Sequence, residues 1–285
     1  MRIDDTDPAA LNGGAGAGNG WEVALGGTRL PGVRMAGFRD RAAGGLHKRV
    51  LPRPDVVVVI GLGEDPFTVE GATGRQSVRS FVAAPASGPA RVGGERVECV
   101  EMRLSPPAAY ALLGGVFPRE PDRPVVGLGE VWGRDEERLR ERLPEAATWA
   151  ERLALVDGFL TRRAARAPAV APEVAAVWEH IVVRRGRVRV GELAASCGWS
   201  RKRLWSRFTA QIGLTPKRAA MLVRFDHAAR ALRAGRSAAD TALACGYADQ
   251  PHLHRDVLAF AGRTPGALAA RPAAPTYRST EGRNP

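Results

Sequence analysis

Two segments of the chain carry almost the same message. "LAASCGWSRKRLWSRF" (Leu193–Phe208) is followed about fifty residues later by "LACGYADQPHLHR" (Leu243–Arg255). In each, small residues run into Cys-Gly and an aromatic, Cys197-Gly198-Trp199 and Cys245-Gly246-Tyr247. Glycine fits where a helix must end in a left-handed residue. Ser200 and Asp249 are the natural N-caps of the helix that follows, because a short oxygen-bearing side chain accepts from first-turn N–H groups. Gly198 to Gly213 is 15 residues and Gly246 to Gly262 is 16, but counting from the two caps removes the mismatch. Leu204 then matches Leu253 at +4, Phe208 matches Val257 at +8 and Gly213 matches Gly262 at +13, with Thr215-Pro216 and Thr264-Pro265 after them. The extra residue lies in the turn. The chain duplicates a helix-turn-helix.

The spacing predicts a buried stripe in each second helix: Leu204, Phe208 and Ile212 in one copy, Leu253, Val257 and Ala261 in the other. Lys202, Arg203 and Ser206, matched by Pro251, His252 and Arg255, are then expected to face outward. A polar outer face on a helix pinned by a short turn is what reading a DNA major groove requires. Ser237 with Asp240 predicts a capping box for the first helix of the second copy. Between the copies, residues 216–234 predict one helix, with Thr215 as its cap, Pro216 at its first position and Gly235 ending it. Met221, Leu222, Phe225, Ala229 and Leu232 form its apolar stripe. At ~1.5 Å per residue this helix spans roughly 28 Å, against about 34 Å between successive major-groove faces.

Charge separates the chain into two parts. Residues 1–171 hold 23 Lys/Arg against 22 Asp/Glu, whereas residues 172–272 hold 17 against 7. Composition bias alone would not segregate charge, so residues 172–272 are the expected partner of a polyanion. Residues 1–20 predict a disordered lead-in and 273–285 a flexible tail. Residues 21–166 read as strands followed by helices. "VVVVI" (Val56–Ile60), "SVRSFVAA" (Ser77–Ala84) and "VECVEMRL" (Val97–Leu104) suit a small antiparallel barrel or sandwich. After Pro106-Pro107 the pattern turns helical, including a charged stretch from Arg134 to Arg166, and "ARAPAVAPE" (Ala165–Glu173) reads as a linker. The chain lacks a run of eighteen apolar residues, and Asp4, Asp5 and Asp7 oppose a secretory leader, so neither membrane nor export is expected. Three cysteines without scaffold spacing fit a reducing cytoplasm.

"VGELAASCGWSRKRLWSRF…GLTPK", "VRFDHAARAL" and "ACGYADQPHLHR…AGRTP", spanning about Val174 to Leu268, resemble the AraC/XylS family of bacterial transcription regulators. The Gly-aromatic-x-Asp-Gln-x-His and Gly-x-Thr-Pro signatures stand in order. The resemblance implies an α+β chain with a cupin-like N-terminal sensing or dimerisation domain over 21–166 and an all-α double helix-turn-helix domain over 172–272. The N-terminal likeness is carried by "LPRPDVVVVIGL" and "VEMRLSPPAAYALLGG". The implied partner is double-stranded promoter or operator DNA, contacted by Ser200, Arg201, Lys202, Arg203, Trp205, Ser206, Asp249, Gln250, His252, His254 and Arg255. RNA polymerase, a small-molecule effector and a second copy of the chain are further candidate partners. Val257 stands where the family usually has Phe or Trp, which predicts a looser second module.

Sharper chemistries fare less well. "VVVVIGLGEDP" offers Gly61-x-Gly63 after a strand, but Pro66 replaces the third glycine of a dinucleotide fingerprint, and a β-turn is expected instead. His252-x-His254 imitates a metal pair inside a reading helix without nearby partners. His47 stands alone in the N-terminal region, short of a metal-bearing cupin set. Cys197 and Cys245 precede the turn glycines and are expected in the core. Arg184, Arg185 and Arg187 are expected to touch phosphates. No catalytic, cofactor-binding or metal-binding residue is expected. A DNA-repair enzyme with this type of DNA-binding tail would need a zinc-type Cys cluster or an activated Cys, and Cys99 in "VECVEM" offers neither. A non-specific architectural binder would not need two different reading faces.

Overall fold

The computed structural model describes residues 20–42, 44–71, 74–85, 88–115 and 125–270. The expectations for 273–285 and for all but the last residue of 1–20 lie outside these. Two antiparallel sheets form the first part of the chain. One has the strand order β1 (Trp21–Gly26), β2 (Val33–Asp40), β9 (Glu98–Leu104), β4 (Val56–Gly61), β7 (Phe81–Ala83) and β10 (Val126–Gly127). The other runs β3 (Leu46–Val50), β8 (Ala90–Gly94), β5 (Phe67–Gly71) and β6 (Gly74–Val78). The barrel-or-sandwich alternative thus resolves as two sheets.

The continuous apolar run of β4 follows from burial on both faces. Val56, Val58 and Ile60 join Val100, Met102 and Leu104 in a core shared with helices, while Val59 turns to Phe38, Phe67 and Phe81 between the sheets. Side chains alternate along a strand, so a strand covered on both sides needs no polar face. The helices on the outer side are α1 (Pro106–Leu112), α2 (Leu128–Trp132), α3 (Arg134–Arg142) and α4 (Trp149–Ala164). A reciprocal capping box starts α4, with Glu151 N–H donating to Thr148 Oγ1 at 3.2 Å and Thr148 N–H to Glu151 Oε2 at 3.0 Å. Its first residue, Trp149, lies over Gly37 of β2, where a Cβ would strike the indole ring. Arg39 and Arg152 flank that ring at 5.7 and 5.1 Å, and both reach Glu98. Burial pushes the Glu98 carboxyl up, yet its hydrogen bonds to the two guanidiniums hold it below the usual range.

The run Ser77–Ala84 was expected as one strand and forms parts of two. It bends at Arg79-Ser80, so β6 ends in one sheet and β7 begins in the other. The bend brings the Arg79 carbonyl against Gly61, leaving no room there for a Cβ. Strand β5 begins at Phe67, where a dinucleotide fold would place a helix. Gly61 of "VVVVIGLG" therefore serves a close backbone approach.

The second part is helical: α5 (Pro172–Val183), α6 (Val190–Ser196), α7 (Arg201–Ile212), α8 (Pro216–Arg233), α9 (Ala238–Cys245), α10 (Gln250–Ala261) and α11 (Pro265–Ala269). Among the described residues no helix is long and apolar enough to cross a membrane. Both predicted stripes are buried, with Leu204, Phe208, Ile212, Leu253, Val257 and Ala261 all at 0% exposure. Helix α8 is apolar on two sides. Ala219, Ala220 and Val223 join Val174, Ile181 and Phe208, while Leu222, Phe225, Ala229 and Leu232 join Leu253 and Phe260.

The two parts meet along a mostly polar seam. Arg49 of β3 donates from Nη2 to the Ala261 carbonyl at 2.9 Å, a cation at the C-terminal end of α10 where the helix dipole favours it. Leu51 packs against the Phe225–Phe260 core, Arg53 lies 3.9 Å from Asp226, and α1 lies beside α7. Lys48 sits in this seam, and burial lowers its ammonium to about 8, with Glu101 opposing and Arg103, Arg233 and Arg53 reinforcing the shift. Above pH ~8 the folded chain has released this proton, while the unfolded chain keeps it to about 10.4, so stability rises with pH across that window. Lys48→Met should stabilise the chain at pH 7 by roughly 1–2 kcal/mol after solvent screening, with the gain vanishing near pH 10.4. Urea midpoints at several pH values measure it; a gain independent of pH would assign the effect to packing. Phe225 is fully buried and stacks on Phe260 with centroids 4.8 Å apart. Phe225→Ala should cost about 3–5 kcal/mol, and a loss below about 1 kcal/mol in chemical denaturation would deny it a central place in the core.

Candidate nucleic-acid interface

Each candidate reading helix is set by its own cap and stop. Ser200 Oγ accepts from Arg203 N–H at 3.2 Å and Asp249 Oδ1 from His252 N–H at 2.7 Å. Gly213 and Gly262 end α7 and α10 at φ 79° and 61°, while Gly198 and Gly246 close the preceding turns at φ 67° and 73°. All four glycines occupy the left-handed region that other residues enter at a cost. Thr215 and Thr264 cap the helices that follow. At Ser237 only half of the expected box forms: its Oγ accepts from Asp240 N–H, and its hydroxyl then donates to the Asp240 carboxylate at 2.7 Å.

On α7, Arg201, Lys202, Arg203, Trp205 and Ser206 are all exposed, beside the exposed cap Ser200. Trp205 leaves 55% of its surface open, a large apolar group on an otherwise polar face. Arg201 leans against Gly191 of α6, and Arg203 sits 4.8 Å above the Trp199 ring. Lys202, Trp205 and Ser206 therefore remain as the forward face. On α10, Asp249, Gln250, Pro251, His254 and Arg255 are exposed.

His252 departs from the outward position expected of it. It is half-buried, edge-on to Tyr247 at 5.1 Å, with Nε2 3.5 Å from Arg224. Arg224 of α8 explains this. Its Nη2 donates to Asp256 Oδ2 at 3.0 Å, and its guanidinium lies 4.6 Å above the Tyr247 ring. A buried ion pair stacked on an aromatic draws the histidine inward and ties α10 to α8. His254, two residues on, faces elsewhere, since i and i+2 do not share a helix face. Among the described residues no group of three ligating side chains gathers.

The Arg224–Asp256–Tyr247 cluster escaped the sequence reading because its members come from three separate segments. One signal was available: Asp256 matches Arg207 of the first copy, an acid facing inward where its counterpart is an exposed base. Val257, from which a looser second module is expected, is itself fully buried. Phe260, which matches Gln211, fills the space and stacks between Phe225 and the Arg218 guanidinium, 4.1 Å away. Arg184, Arg185 and Arg187 are exposed, but the Arg187 stem also covers Gly246, so this loop joins the first module to the turn of the second. Cys197 and Cys245 are partly buried, the Cys197 thiol donating to the Leu193 carbonyl at 3.3 Å. Burial pushes the thiols of Cys99 and Cys245 up.

A family model described as a helix-turn-helix domain matches residues 193–271. No curated protein matches the chain. Among solved structures, ToxT from Vibrio cholerae O395 is similar at 8% identity and a TM-score of 0.42, over 84% of this chain and 98% of that one. The AraC-like transcriptional activator CuxR overlaps at 14% identity and a TM-score of 0.32, over 66% and 74% of the two chains. An oxalate oxidase in complex with the substrate analogue glycolate overlaps at 17% identity and 0.25, over 56% and 85%. Overlaps this low set no fold, and the architecture rests on the strand pairing and helix packing given above. The matched segment begins in α6 and runs through α11, so it contains both caps, both reading helices and the whole of α8. Residues 193–271 are an AraC-type helix-turn-helix domain, and the chain that carries them is a DNA-binding transcription regulator.

Proposed function

We propose that α7 and α10 enter two successive major-groove segments on one face of promoter DNA, with residues 172–272 as the DNA-binding domain and residues 21–166 receiving a signal. The observation that carries this reading is the shared helix. Two capped helices with different outer residues pack on opposite sides of α8, whose 18 residues span about 27 Å. Lys202, Trp205 and Ser206 of α7, and Gln250, His254 and Arg255 of α10, are the base-facing groups. Ser200, Arg201 and Arg203 at the start of α7 position that helix and meet the backbone, and Asp249 and His252 at the start of α10 position the second helix on the DNA. Arg184 and Arg185 supply further phosphate contacts. The chain acts in the cytoplasm without catalysis, and its effector site lies in the N-terminal part.

Genome-wide mapping of bound DNA supplies the operator on which this is tested. Affinity of the whole protein for that operator should fall steeply as salt rises, because the net charge of residues 172–272 displaces counterions. Lys202→Ala and Arg255→Ala should each weaken operator binding by about 1–3 kcal/mol and random DNA far less. Equal losses on both would make them phosphate contacts and sink the assigned groove face.

Rigidity of α8 has its own test. Arg230 is exposed and pairs with Asp226 at 2.8 Å on the same helix. Arg230→Pro would remove a backbone hydrogen bond and kink the helix, at ~3 kcal/mol or more. The DNA footprint should shrink to about half the site, with much weaker affinity. A folded Pro variant that protects the full site at unchanged affinity would refute the spacer role.

A further inference from the structure

A cavity of about 400 Å³ opens among α1, α3 and α4, away from both reading helices' outer faces. Its size is that of small-ligand pockets, ~300–1,000 Å³. Its walls carry Arg138, Arg142, Arg162, Arg163 and Arg166 against a single carboxylate, Asp135. That carboxylate is already engaged: Arg163 Nη1 lies 3.1 Å from it and Arg138 Nη1 3.9 Å. Arg163 is fixed further by donating from Nε to the Leu112 carbonyl at 3.0 Å and by stacking on Trp132 and Phe159. Arg142, Arg162 and Arg166 have no ion-pair partner among the described residues, and all three are exposed. Leu139, Leu155 and Phe159 add an apolar wall.

We infer that this cavity binds a small organic anion with an apolar body, the arginines taking its carboxylate or phosphate and the leucine-phenylalanine wall its hydrocarbon. Like charges gathered around one concavity repel one another and attract an anion in proportion. Planar guanidiniums suit the paired oxygens of carboxylates and phosphates. An inorganic anion would leave the apolar wall wet, and a neutral hydrocarbon would leave the arginines without partners. Burial lowers the Arg163 pKa and Asp135 opposes that shift, as an incoming anion beside it would also do. Position gives the site a consequence. Ala111 and Gly114 line the cavity from α1 and the residues just after it, and α1 lies beside α7. An occupant is one helix away from the first reading helix. The inference rests on the proposal that the N-terminal part receives a signal and names the ligand class and its place.

The test is calorimetric titration of the whole protein with 2-naphthoate, 2-naphthyl phosphate, the neutral 2-naphthalenemethanol and inorganic phosphate. Both naphthyl anions should bind one to one, the tighter of them identifying the preferred head group. The alcohol and inorganic phosphate should bind at least about tenfold more weakly. Arg142→Gln with Arg162→Gln should weaken the anions at least about tenfold and leave the urea midpoint unchanged. If that pair disturbs folding, Arg166→Gln alone serves, with a loss of at least about threefold. The site is overturned if neither naphthyl anion binds, if the alcohol or inorganic phosphate binds as tightly, or if the substituted protein binds like the native one. Operator binding measured on the same preparation separates the two claims. Intact DNA affinity with no anion bound overturns the cavity alone, whereas loss of operator binding would strike the reading on which it rests.

Discussion

The burial of α8 from two sides is the constraint on which the helical part depends. A helix that faced one core would need a single stripe and could keep the rest polar. This one lends Ala219, Ala220 and Val223 to the first module and Leu222, Phe225, Ala229 and Leu232 to the second. Neither module closes its core without it. The spacing of α7 and α10 is therefore fixed by packing, as a flexible tether could not fix it. Charge completes the arrangement. Arg224 leaves α8 to pair with Asp256 on α10, and Arg218 leaves it to stack on Phe260. Separating the modules would expose both apolar faces and break a buried ion pair at once.

Much of this was legible in the sequence because it is local. Caps act over three residues and stop glycines over one, so Ser200, Asp249, Thr215 and the four left-handed glycines could be placed by counting. The buried stripes follow from the helical period. What could not be read depends on contacts between distant segments. His252 lies on a face that the period makes outward, and only Arg224 and Tyr247, from other elements, draw it in. Val257 reads as a departure from the family's usual Phe or Trp, while Phe260, three residues on in the same core, matches a glutamine of the first copy and so carries no signal in the pattern of the repeat. The single run Ser77–Ala84 gave no sign that it changes sheets at Arg79-Ser80, because both halves alternate correctly. The arginine cavity was invisible for a similar reason. Its charges sit on α3 and α4 in stretches whose net charge is near zero, and only folding separates them from the acids that balance them.

The two copies illustrate how a duplicated unit diverges without losing its frame. Residues fixing backbone geometry, the caps and glycines, are kept in kind. Outer positions differ freely: Lys202 against Pro251, Trp205 against His254 and Ser206 against Arg255. Inner positions differ only in compensated ways, with Phe208 against Val257 offset by Gln211 against Phe260. Such a pattern suits two surfaces held alike and used on different targets, which is the demand that sequence-specific reading places on a paired module.

The seam between the two parts has a different character from the cores it joins. Inside each module the packed faces are mostly apolar, with the Arg224–Asp256 pair as the main polar contact. At the seam, Lys48, Arg49 and Arg53 enter from the β3 side, and the acids acting on Lys48 and Arg53 include Glu101, Asp55 and Asp226, the last also held by Arg230 at 2.8 Å. Half-buried cations with shared acidic partners lose much of their Coulomb gain to desolvation. Among the described residues of the N-terminal part, Leu51 is the one that packs into the core of the second module, which a dozen buried residues hold together. Parting the N-terminal segment from α10 therefore costs far less than parting α10 from α8. The anion proposed for the cavity among α1, α3 and α4 would thus have a weak boundary to act on and a rigid body beyond it. The pair of reading helices would move, or be released, as one unit.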